Sequence, residues 1–197
     1  NSSAASDVYK RQILIFIIII GSKMKIHFLL LLISLSFGQS FKDLTERPIY
    51  KPVKIKTPIT FDGIVDLNEW SDAQIATNFI GSGTFQGQPA ILNTEARLMY
   101  DDRNLYIGFK AFVEKEELRY SITKRDNLDD KDDRVWVNID AFDDESLTYG
   151  IGVSAGGAQI DGRATYNFDQ SLDIIYDTKV KIFDNRHEVE MIIPFSS

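Results

Sequence analysis

The chain has 197 residues and a formal net charge of -7, with 26% of its residues charged and no cysteine. The acidic balance argues against a nucleic-acid partner, whose phosphates need a basic surface. The missing thiols exclude disulfides and thiolate metal sites, so the domain must be held by its own core, which about 150 residues can supply.

Met24 opens a pattern expected of a secretory signal peptide over 24–38. Lys25 and His27 precede an apolar run over 28–35, and the small or neutral residues Ser36 and Gly38 follow. The run is shorter than the roughly 20 residues of a membrane-spanning helix. Residues 1–23 carry a second short apolar run and are expected to be translated upstream or vector-derived sequence. A rival arrangement joins both runs into one anchor, but Lys23 and Lys25 interrupt it at a costly depth. Residues 39–58 contain Pro48, Pro52 and Pro58 and are expected to be an extended linker.

The domain proper is expected over 59–197. Its first motif is FDGIVDLNEW, 61–70. Gly63 directly after Asp62 breaks the ligand spacing of an EF-hand. A carboxylate pair for glycoside hydrolysis could be drawn from Asp62, Asp66 and Glu69, though nothing in their spacing demands it. The simpler expectation is a turn, then a short helical turn over 66–73. Asp66 would cap it, Glu69 stands at capping-box spacing, and Trp70 would be buried.

Strands dominate thereafter. Residues 94–100 and 105–113 alternate around a turn at 101–104, giving a hairpin. Residues 134–142 alternate Val135, Val137 and Ile139 against Trp136, Asn138 and Asp140. Two more hairpins are expected around Gly156-Gly157 and Asp184-Asn185, and one helical turn at 114–118. Period-two strands with frequent turns predict an all-β antiparallel sandwich. The chain ends just after a strand pattern, so a truncated fragment is expected.

Acidic residues crowd 126–145. Two readings stand: a solvated loop, or a calcium site with Asp130, Asp132 and Asp133 among its oxygen ligands. Met99, Met191 and His187 are available as haem ligands, but no spacing rule connects them and core methionine is the commoner role.

Five segments, in order, resemble the family 9 carbohydrate-binding modules within the DOMON-like superfamily. They are ITFDGIVDLNEWSDA (59–73), NTEARLMYDDRNLYIGFKAF (93–112), KRDNLDDKDDRVWVNIDAFDD (124–144), GGAQIDG (156–162) and VEMIIPFSS (189–197). The chain looks most like a subgroup at the N-terminus of bacterial outer-membrane proteins, in which a barrel-like region follows. The resemblance implies a jelly-roll β-sandwich, polysaccharide or oligosaccharide as partner, and export to the periplasm or outer membrane of a Gram-negative bacterium. It implies no sugar specificity.

Sugar binding needs aromatic faces for stacking and planar polar groups for hydroxyls. The candidates are Trp136, Tyr149 and Tyr166, with Arg125, Asn138, Asp140, Gln159 and Asp161. A Ser-His-Asp triad is not expected, because His187 is the one histidine after the leader. A non-catalytic binding module is therefore expected. The alternatives are a structural or partner-docking domain of a barrel protein and a glycoside hydrolase-associated activity.

Overall fold

The computed structural model describes residues 48–81, 87–127, 129, 131–143, 146–165 and 167–196. The leader expected at 24–38, the sequence before it, Asp130 and Tyr166 lie outside the described residues. Residues 49–197 form one compact unit.

Among the described residues the elements run β1 (Val53–Lys54), α1 (Leu67–Trp70), β2 (Thr94–Tyr100), β3 (Asn104–Phe112), β4 (Arg134–Ile139), β5 (Thr148–Ser154), β6 (Gln159–Ala164), β7 (Phe168–Asp169), β8 (Asp177–Ile182) and β9 (Arg186–Pro194). They build two sheets, ordered β1-β2-β3-β9-β8 and β4-β5-β6-β7. Every pairing is antiparallel except β1 with β2. The fold is the expected β-sandwich. All three expected hairpins form, and in the first Asp101 Oδ1 accepts from the N–H groups of Arg103 and Asn104, both at 2.7 Å. The edge strand β1 lies within the stretch expected to be linker, where Val53 pairs with Met99.

The alternation decides what lies between the sheets. Ile107, Phe109, Val189, Met191 and Ile193 from the five-stranded sheet meet Val135, Ile151 and Val153 from the other in one cluster. Burying each such side chain stabilises the fold by about 1.5–3 kcal/mol before entropy is counted. Met99 belongs to a second cluster, with Val65, Trp70 and Ala73 on the outer face of the five-stranded sheet. Met99 and Met191 thus lie on opposite faces and cannot ligate one haem iron.

The opening motif covers that outer face, and two buried carboxylates of β9 hold it there. Glu190 accepts the backbone N–H groups of Asp62 and Gly63, both at 2.8 Å, and the indole N–H of Trp70 at 3.3 Å. Glu188 accepts the N–H of Val65 at 2.7 Å and is also bonded by Arg186 at 2.6 Å. Gly63 has φ +90°, and a Cβ there would stand 3.1 Å from the backbone carbon of Val180. The Asp-Gly pair is therefore needed for a left-handed turn pressed against β8.

Helix α1 is a single turn. Asp66 caps it through a 2.7 Å bond from Asn68 N–H. The capping box does not form, because Glu69 instead accepts from Thr60 N at 3.1 Å and Thr60 Oγ1 at 2.6 Å. Asp62 similarly accepts from Ile64 N–H at 2.9 Å. All three carboxylates thus bond groups within residues 60–68.

Candidate functional site

The outer face of the four-stranded sheet is built differently from the covered face of its partner. Pairing places Trp136 opposite Gly152 and Asn138 opposite Gly150. A Cβ on Gly150 would lie 2.2 Å from the Trp136 ring, and one on Gly152 would lie 2.4 Å from it. The indole therefore lies over the two glycines, which no side chain could allow. Its edge meets Phe168 of β7, with ring centroids 5.4 Å apart at 64°. Its N–H donates to Asn138 Oδ1 at 2.8 Å, which fixes that amide beside it. Trp136 is half-buried, while Asn138, Arg134 and Phe168 are exposed. Arg134, Trp136 and Asn138 alternate on one face at roughly 7 Å intervals.

The other candidates separate into different places. Asp140 lies just beyond β4, where its Oδ1 accepts from Phe142 N–H at 3.1 Å. Tyr149 packs on the core side with the inter-sheet cluster. Arg125, Gln159 and Asp161 do come together, but on the inner side of β6. Fully buried Asp161 pairs with Arg125 and accepts the N–H of Ile174 at 2.5 Å. Arg125 also donates to the carbonyl of Ile174 at 2.6 Å, and Gln159 to that of Tyr176 at 2.9 Å. These bonds clamp 172–178, where the chain crosses between sheets. Buried Tyr176, absent from the sequence candidates, completes the clamp by donating to Gly152 O at 2.8 Å; burial pushes its pKa up.

The sequence matches no protein-family model and no curated protein. Among solved structures it is similar to a family 9 carbohydrate-binding module from Caldicellulosiruptor kristjanssonii. The cellotriose complex gives a TM-score of 0.52 at 21% identity, covering 74% of this chain and 67% of that one. The glucose complex gives 0.51 at 20%, covering 75% and 69%. A proposed carbohydrate-binding protein from Bacteroides uniformis gives 0.56 at 13%, covering 74% and 72%. The likeness is one of fold: this chain shares the β-sandwich of those structures.

Within that sandwich an apolar cavity of ≈ 450 Å³ opens at one end, between Leu105, Ile139, Tyr149, Leu172 and Ile193, with exposed Phe142 and Phe195 also lining it. It offers few of the polar groups that sugar hydroxyls require. In the acidic loop, Asp132 Oδ1 accepts from Ser121 Oγ at 3.1 Å, and Asp133 Oδ2 accepts from Arg119 N–H at 2.8 Å. Among the described residues no three histidine or carboxylate side chains group to hold a metal ion. Asp132 Oδ2 is buried without a hydrogen-bond partner, which suits a cation, and Asp130 lies outside the described residues.

His187, on the inner face of β9, is 3% exposed, and neither ring nitrogen has a hydrogen-bond partner. Burial lowers its pKa from 6.5, opposed by the charge of Asp133. The unfolded chain then binds a proton that the folded one refuses. This contribution to stability is fully present above the ordinary value and is lost as pH falls through the folded value. Urea midpoints should fall between about pH 7.5 and about pH 5.5, and the fall should be shallower in His187→Leu. Parallel declines in the two proteins would contradict this.

Proposed function

We propose that the outer face of β4–β7 binds carbohydrate without catalysing its breakdown. The observation that carries this is the Trp136 ring laid on Gly150 and Gly152 with Asn138 fixed beside it. A half-exposed indole offers a stacking surface for the C–H face of a sugar, and the neighbouring amide and Arg134 offer hydroxyl partners. Solved modules of the same fold, in complex with cellotriose and glucose, support this class of ligand. The sequence resemblance supports an exported protein of the periplasm or outer membrane, with a membrane barrel as the neighbouring region. Calcium would hold the 129–133 loop through Asp132 and its acidic neighbours, a structural service rather than a catalytic one.

The test is a glycan array, with calcium and then with chelator. Saturable binding is expected, weakened about thirtyfold in Trp136→Ala. Undiminished binding by that variant would move the site off this face. A second reading, partner docking, is favoured by the apolar cavity with Phe142 and Phe195 exposed in its lining. Failure of a folded domain to bind any glycan would turn the account to it.

A further inference from the structure

Arg134 opens β4 and stands on the same outer face as Trp136, roughly 7 Å along the strand. It is exposed. Among the described residues no carboxylate, hydrogen-bond acceptor or aromatic ring engages its guanidinium. Acids lie near it in sequence, but they bond other groups. Asp129 Oδ1 accepts from Lys131 N–H at 2.9 Å, Asp132 from Ser121 Oγ, Asp133 from Arg119 N–H and Asp140 from Phe142 N–H. The in-register positions across this face run from Ser154 on β5 through Ile160 and Gly162 on β6 to Phe168 on β7, and none is ionisable. In a chain of net charge -7, the described strands of this face therefore present a single charge, and it is an unpaired cation.

Exposed arginines are common, but this one borders a stacking ring with its donors unengaged. A neutral sugar takes one such donor through a hydroxyl, a service that the Asn138 amide beside Trp136 can also give. An oxyanion takes two donors in parallel, and charge-assisted bonds are roughly twice as strong as neutral ones. The face is also polar along its length. Asp140 lies just beyond the far end of β4, so an oxyanion is repelled there and drawn to the Arg134 end. From its place beside Trp136, the Arg134 side chain can meet a substituent on the stacked sugar ring or on the ring next to it. Given that this face binds sugar, as proposed above, we infer that its glycan is acidic and that Arg134 holds a carboxylate or sulfate on it. Trp136 takes the C–H face of the ring, and Arg134 selects its charge.

Titration calorimetry on the full-length protein tests this with matched probes. An oligogalacturonate is compared with its carboxyl-reduced form, and a sulfated galactan oligosaccharide with its desulfated form. At least one acidic probe should bind about tenfold tighter than its neutral partner, and the pair that responds tells carboxylate from sulfate. The preference should shrink at about 0.5 M salt. Arg134→Gln should bring the ratio of affinities close to one. Arg134→Lys should keep part of the preference, because it retains the charge without the planar fork. Trp136→Ala should weaken both members of a pair and leave their ratio in place. Arg134 is exposed, so neither replacement of it puts the fold at stake. Acidic and neutral probes bound equally would overturn the inference and leave the sugar-binding role of the face standing. A preference that survives Arg134→Gln would overturn it by placing the anion elsewhere. A folded protein that binds none of the probes would overturn both.

Discussion

Glu190→Ala is expected to cost about 3–5 kcal/mol, lowering the unfolding temperature by roughly 10–15 °C. The carboxylate is buried and accepts from Asp62 N–H, Gly63 N–H and the Trp70 indole. Alanine leaves three donors inside the fold with no acceptor, and each such donor costs about 1–3 kcal/mol. Domains of this size have a total of about 5–15 kcal/mol, so the loss is a large share of it. Burial raises the pKa of Glu190 and the two backbone N–H bonds oppose that, so the carboxylate is sustained by those donors. Glu190→Gln should recover only part of the loss, because its amide N–H₂ would face N–H groups. Chemical unfolding of the three proteins measures this. An alanine variant within about 1 kcal/mol of the parent would mean that the opening motif is not anchored by β9.

Asp161→Ala is expected to be nearly as damaging, at about 3 kcal/mol. It removes the fully buried carboxylate that pairs with the Arg125 guanidinium and leaves the Ile174 N–H without its acceptor. Asp161 also lies among the residues expected from sequence to touch sugar, and this variant separates the two roles. As a clamp residue it should lower the unfolding temperature and leave the glycan affinity of the folded fraction unchanged. A variant as stable as the parent that no longer binds glycan would make Asp161 a sugar contact.

The hairpins were legible because each rests on local signals: alternation over six to nine residues and a turn rich in Asp, Asn or Gly. The strand faces followed, so Val135, Val137 and Ile139 were correctly set against Trp136 and Asn138. What escaped was non-local. Glu188 and Glu190 alternate with Val189 and Met191, which from sequence alone is a half-exposed strand. Their burial depends on a segment more than 120 residues earlier in the chain. The motif 61–70 forms the turn and capped helical turn that its residues predict, but nothing local announces that its backbone donors point at β9. The same holds for Arg125 and Asp161, whose partners lie on the crossover segment. The missed floor of the Trp136 face did leave a signal: Gly150 and Gly152 alternate on β5, and small residues at alternate strand positions mark a close approach.

The central claim is that sugar stacks on Trp136, and the chain's two tryptophans make it directly testable. Each gives one indole N–H signal in a nitrogen-proton correlation spectrum. Trp70 is buried and bonded to Glu190, whereas Trp136 lies half-exposed on the β4 face. Titration with a glycan found on the array should move the Trp136 signal saturably and leave that of Trp70 in place. Saturable binding with both signals unmoved would contradict the account and put the sugar elsewhere on the sandwich.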